Sequence, residues 1–154
     1  MKRMLLVVAT ILCFVSSALA EPGRVFDNAG LFTKEEIDEI EQAISAFQRD
    51  ANMDFAILTT DDYLGSTNQK KISDSFFLAE NIGFGRDTHG MLYYIDANQF
   101  MHRITTGGDM VDLFNDEEIA TALDACAVFL ADNDNKGAVL KMIDIAREQV
   151  TGAK

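Results

Sequence analysis

The chain has 154 residues, 48% of them hydrophobic and 25% charged, with a single proline. That balance fits one globular domain and excludes collagen, low-complexity disorder and a multi-domain architecture. Its 13 Lys and Arg against 25 Asp and Glu give a net charge of −12, which excludes nucleic acid as a partner, because counterion release needs clustered basic residues. Divalent cations are the natural partner of such a surface.

Lys2 and Arg3 precede an apolar run from Met4 to Val15, followed by Ser16, Ser17 and the small-x-small tripeptide Ala18-Leu19-Ala20. This pattern predicts a secretory signal peptide over residues 1–20, cut after Ala20, since the run is shorter than the roughly 20 residues that span a bilayer. The mature domain is then 21–154, expected in the periplasm, outside the cell or at the cell envelope. Its 11 basic residues against 25 acidic ones leave −14. Cleavage leaves Cys126 alone, so no intramolecular disulfide can form and core burial must carry the fold.

Thr33-Lys34-Glu35-Glu36 is a capping box, and Phe32 and Ile37 stand at the two positions of a hydrophobic staple. A helix is predicted from Thr33 to about Asn52, its apolar stripe being Ile37, Ile40, Ile44 and Phe47. Met53 to Thr60 holds the run Phe55-Ala56-Ile57-Leu58, short and continuous, as in a strand covered on both faces. After a turn at Asp61 to Gly65, a second helix is predicted over Ser66 to Ile82, stopped by Gly83 and Gly85. Met91 to Ile95 and Phe100 to Thr106 read as two strands joined by the turn Asp96-Ala97-Asn98-Gln99 into an antiparallel hairpin. Asn115 with Glu118 repeats the capping signal and opens a helix carrying Ile119, Leu123, Cys126 and Leu130 on one face; a last helix covers Lys136 to Val150. Helix, strand, helix, strand, strand, helix, helix predicts a mixed sheet with helices on both faces.

Ligands of such sheets gather beyond the carboxyl ends of the strands, which draws attention to the carboxylates in the loops. Asp61 and Asp62 follow the first predicted strand, Asp96 follows the second, and Asp27 and Asp87 lie in Gly-containing loops. Three of them converging would need a cation or protonation to relieve their repulsion, and for a cation the oxygen donors favour Ca²⁺ or Mg²⁺. Asp132-Asn133-Asp134-Asn135-Lys136-Gly137 opens like an EF-hand loop, but Lys136 takes an oxygen donor's place and Ile143 that of the bidentate Glu, so a polar turn is expected. Cys126 falls on an apolar stripe as an inert thiol, and His89 and His102 lack a zinc spacing. Gly83-Phe84-Gly85 follows a helix and lacks the third glycine of a dinucleotide fingerprint.

Val25-Phe26-Asp27-Asn28-Ala29-Gly30-Leu31-Phe32 resembles the opening motif of the TPM domain family, also labelled TPM phosphatase. The capped helix, the strand to Thr60, the helix ending in Ile82-Gly83-Phe84-Gly85, the stretch Asp87 to Asp96 and the strand closing in Gly107-Gly108 follow in the family's order. The resemblance covers about Val25 to Val150. It implies a three-layer α/β/α sandwich with a small mixed sheet of about four strands, export across or attachment to a membrane, and a cleft that binds divalent cations in some members. For plant relatives it implies repair of photosystem complexes and acid phosphatase activity. It points to Asp27 and Asp87 as cleft carboxylates, with Asp61 or Asp62 from the loop after the first strand. Two functions are therefore expected to compete. One is a non-catalytic, Ca²⁺- or Mg²⁺-binding module in envelope or membrane-protein maintenance, with a membrane or envelope protein as partner. The other is a metal-dependent acid phosphatase in which Asp27, Asp62 and Asp87 hold the metal and His89 protonates the leaving group.

Overall fold

The computed structural model describes residues 23–61, 66–98 and 101–152. The predicted signal peptide and Asp62 lie outside the described residues. In chain order the elements are β1 (Val25–Asp27), α1 (Lys34–Ala51), β2 (Asp54–Thr60), α2 (Ser66–Ala79), β3 (Gly90–Asp96), β4 (Met101–Gly107), α3 (Met110–Leu113), α4 (Asp116–Ala131) and α5 (Asn135–Thr151).

Both capping boxes form. Thr33 Oγ1 accepts from the Glu36 amide at 3.2 Å while Glu36 Oε2 accepts from the Thr33 amide at 2.9 Å, and Asn115 and Glu118 repeat the exchange at the start of α4. Five backbone donors, the amides of Thr33, Glu36, Asn115, Glu117 and Glu118, are thereby satisfied at the two helix starts. α2 ends at Ala79, three residues before the predicted stop at Ile82. Asn81 enters the left-handed region at φ 50°, and the Ile82 amide closes back on the Phe77 carbonyl at 3.0 Å, so the last turn tightens before the glycines are reached.

The sheet runs β1-β2-β3-β4, with β1, β2 and β3 parallel and β4 antiparallel to β3. Every residue of β2 and β3 is buried, as the continuous apolar runs require of strands covered on both faces. Alternation divides their side chains between two cores. Phe55, Ile57, Tyr93 and Ile95 pack with α1, α4 and α5, while Ala56, Leu58, Leu92 and Tyr94 pack with Phe77 of α2. The result is the expected α/β/α sandwich. β1 and α3 carry no sequence signal, being three and four residues long.

β1 is positioned by side chains from elsewhere. Glu41 of α1 accepts from the amides of Arg24 and Val25 at 2.7 and 2.8 Å. Arg24 in turn grips Asp54, a fully buried carboxylate at the head of β2, through Nε at 3.2 Å and Nη2 at 2.8 Å. Asp54 also accepts from Gln48 Nε2 at 2.8 Å, its neighbour Phe55 N at 2.9 Å and Gly83 N at 2.9 Å. Donors from four parts of the chain thus meet on one carboxylate, which satisfies the condition under which a buried charge is tolerated. Asp54→Ala strands the Arg24 charge and the Gly83 amide, and should cost about 3–5 kcal/mol in urea unfolding. A loss below about 1 kcal/mol would refute this role.

Candidate functional site

The parallel strands end together, and their register sets the carboxyl-end loops side by side. Asp27 stands opposite Thr59, and Thr60 opposite Asp96. Asp27 is half-buried and anchored: Oδ1 accepts from Thr59 Oγ1 at 2.5 Å and from the Leu31 amide at 2.9 Å, and Oδ2 from the Phe32 amide at 3.0 Å. Thr59 Oγ1 also accepts from the Ala29 amide at 3.1 Å. The pair therefore fixes the loop that leads from β1 to α1. Asp61 follows β2 directly and is exposed.

Asp96 is fully buried on the other side of the sheet, where its Oδ2 accepts from Gln69 Nε2 of α2 at 2.9 Å and its Oδ1 from the Asn98 amide at 3.0 Å. Pleating explains the separation: partners in a parallel register face the same way, and Asp96 pairs with Thr60, one residue out of phase with Thr59 and Asp27. Asp96 is thus a turn-closing group bonded to α2 rather than a third member of a cluster with Asp27.

Asp87 and His89 lie at the opposite end, just before β3 begins. A strand of seven residues separates the two ends by about 20 Å, so Asp87 is not brought together with Asp27 and Asp61 as the expected cleft requires. The segment 83–89 instead folds into a tight bridge, with Phe84 and His89 exchanging amide bonds at 3.0 Å. Gly107 belongs to this packing, since a Cβ there would come within 2.6 Å of the Thr88 carbonyl oxygen. His89 Nδ1 accepts from the Asp109 amide at 3.0 Å, which puts the ring proton on Nε2, and that nitrogen lies 4.0 Å from Asp87 Oδ2. His89 is held as a loop anchor, remote from any group on Asp27. Among the described residues, no three His, Cys, Asp or Glu side chains are grouped closely enough to hold a metal ion.

A family model described as the TPM domain matches residues 25–149. The chain belongs to the TPM domain family. Solved structures similar to this TPM domain include the N-terminal domain of a Corynebacterium glutamicum protein, with TM-score 0.66 and 15% identity over 97% of this chain and 90% of that one. Another is the N-terminal domain of a P. gingivalis protein, with TM-score 0.69 and 15% identity over 88% and 87% of the two chains. A third is the BA42 protein of the psychrophilic bacterium Bizionia argentinensis, with TM-score 0.65 and 16% identity over 79% and 82%. At these identities the likeness is one of fold. No curated protein matches the chain in sequence.

The TPM domain also holds a polar cluster that sequence patterning gave no reason to expect. Tyr93 Oη and His102 Nδ1 meet at 2.7 Å beneath α4, beside Cys126. The signal was available only in the register, which pairs Tyr93 with Ile104, two residues from His102 and so on the same face of the sheet. Burial pushes the Cys126 thiol up to about 11 and outweighs the opposing hydrogen bond with Tyr93. Burial also lowers the pKa of His102, against an opposing pull from Asp124. These directions keep thiol and imidazole neutral, the reverse of an activated cysteine. The loop from Asp132 to Gly137 is the expected turn, with Asp134 Oδ1 accepting from the Gly137 amide at 2.8 Å as the cap of α5. Among the described residues, no helix is long and apolar enough to cross a membrane.

Cys126 should resist iodoacetamide at pH 8 in the folded protein and react once urea unfolds it. Raising the pH from 9.0 toward about 11 ionises the thiol in the unfolded chain first, because the folded pKa is the higher of the two. Cys126 then costs stability across that window, and a Cys126→Ala variant should lose less stability there than the parent.

Proposed function

We propose that this TPM domain is an exported, non-catalytic binding module of the periplasm or cell envelope. In this reading it takes Ca²⁺ or Mg²⁺ at the carboxyl end of its sheet and serves the maintenance of an envelope or membrane protein. Asp27, Asp61 and Asp62 would hold the cation. The observation that carries the reading is the anchoring of Asp27, whose three bonds immobilise the carboxylate while Oδ2 accepts only one of them. A carboxylate has about four acceptor positions, so Asp27 retains one for a ligand without surrendering the loop. Continuing the alternation of β2 returns Asp61 to the side of Thr59 and Asp27.

Oxygen donors of this kind suit hard cations, which take about six to eight oxygens and draw the remainder from backbone carbonyls and water. Asp87 is left out of the set because it stands at the other end of the sheet. The same separation supports a binding role over hydrolysis, since His89, the proton donor a phosphatase would need, is removed from the Asp27 end.

Thermal unfolding of the protein in rising CaCl₂ and MgCl₂ tests the reading. A cation that binds only the folded state adds about 2.7 kcal/mol at a hundred times its Kd, so the melting temperature should rise and then follow the logarithm of concentration. Asp61→Ala, a change at an exposed position, should abolish the rise, and Asp87→Ala should preserve it. No rise with either cation at about 10 mM would overturn the proposal.

A further inference from the structure

The two edges of the sheet are treated differently. The β1 edge is three residues long and has Glu41 on its first amide, that of Val25. The β4 edge is seven residues long, and among the described residues no strand pairs with its outer side. An uncovered edge of that length is a template for another strand.

Backbone bonds at the ends of β3 show which groups of β4 are available. The amide of Ala97 bonds to the Thr60 carbonyl at 2.8 Å, and the carbonyl of His89 accepts from the Asp54 amide at 3.0 Å, so odd-numbered residues of β3 aim at β2. Even-numbered residues then aim at β4, where their partners are Gly107, Thr105, Arg103 and Met101. The amides and carbonyls of His102, Ile104 and Thr106 are left pointing outward.

A groove of about 440 Å³ runs along this edge, lined in part by Lys70, Asp74, Leu78, Arg103 and Thr105. It holds both signs of charge. Arg103 Nε is shut off from solvent without a hydrogen-bond partner, while Asp74 accepts from Thr105 Oγ1 at 3.0 Å and pairs with Lys70. Arg103 and Thr105 face the same side of the sheet and flank Ile104 symmetrically.

We propose that β4 pairs with β4 of a second copy, antiparallel about Ile104, joining two four-stranded sheets into one of eight strands. With Ile104 opposite Ile104, His102 falls opposite Thr106, and every outward amide and carbonyl of one copy meets those of the other. Arg103 then falls opposite Thr105 of its partner, beside the Asp74 that Thr105 holds. The two-fold makes this contact twice, setting the Arg103 of each copy against the Asp74 of the other in addition to the Asp74 of its own chain. A single-signed edge would suit a foreign peptide of opposite charge; an edge with Arg103 and Asp74 exchanged about its midpoint suits a copy of itself. The inference is independent of the cation reading.

Sedimentation velocity of the protein between about 1 and 200 µM tests it, since a dimer must dissociate on dilution by mass action. The parent should dimerise in that range, and the exchange of the His102, Ile104 and Thr106 amides should slow as concentration rises. Thr106→Pro removes only an outward amide, which an edge strand tolerates, and Arg103→Glu sets like charges against Asp74. Each should weaken association about tenfold or more while circular dichroism stays that of the parent. Asp74→Lys should do the same. Mixing the Arg103→Glu and Asp74→Lys proteins should restore dimers, because both cross-pairs then join opposite charges. A parent that stays monomeric at about 200 µM overturns the proposal. So does a dimer indifferent to Thr106→Pro and Arg103→Glu, or a mixture of the two charge variants that stays monomeric.

Discussion

The fold depends on a carboxylate without solvent. Asp54 sits at the point where the chain before β1, helix α1, strand β2 and the turn after α2 come closest, and each contributes an N–H to it. A buried charge is tolerated only when such donors surround it, so the site is either assembled as a whole or strongly unfavourable. That all-or-none character ties the chain before β1 and the turn after α2 to the apolar contact between α1 and β2. Arg24 cannot bind Asp54 unless β1 lies in register, and Gly83 cannot reach it unless α2 has ended where it does.

Placing Asp54 at the amino end of the sheet leaves the carboxyl end free for other uses. There Asp27 fixes the loop that leads into α1 and Asp96 closes the turn after β3, on opposite sides of the pleat. The two ends hence differ in kind: one gathers donors around a carboxylate, the other spreads carboxylates across two faces. Among the described carboxylates at that end, Asp61 is the one presented directly to solvent.

Much of this was legible beforehand because local rules and global packing agree. The capping residues Thr33 and Asn115 declare the two helix starts, and the unbroken apolar runs around Ile57 and Tyr93 declare strands buried on both faces. The TPM resemblance followed from the order of these signals. The separation of Asp87 from Asp27 and Asp61 was not legible, because proximity to a glycine turn does not reveal which end of a strand the turn serves. Asp87 precedes its strand whereas Asp27 ends one. Asp54 escaped notice for a related reason: an aspartate before an apolar run looks like a solvated strand boundary, and only tertiary contacts identify its partners. β1 was hidden because three residues carry no periodicity, and its place is set by Glu41 and Arg24.

The modest size of β1 has a consequence for the chain's behaviour when partly unfolded. β2 is apolar and fully buried, and β1 is all that occupies one of its edges. Pairing β1 with β2 joins residues more than thirty apart in sequence, a slow closure compared with the β3–β4 hairpin. During folding, or whenever Arg24 releases Asp54, the edge of β2 is open and offers Phe55, Ile57 and Leu58 to any other chain. The clamp at Asp54 therefore guards against aggregation as well as supporting the native state, which makes it the contact whose loss harms the protein before it is fully unfolded.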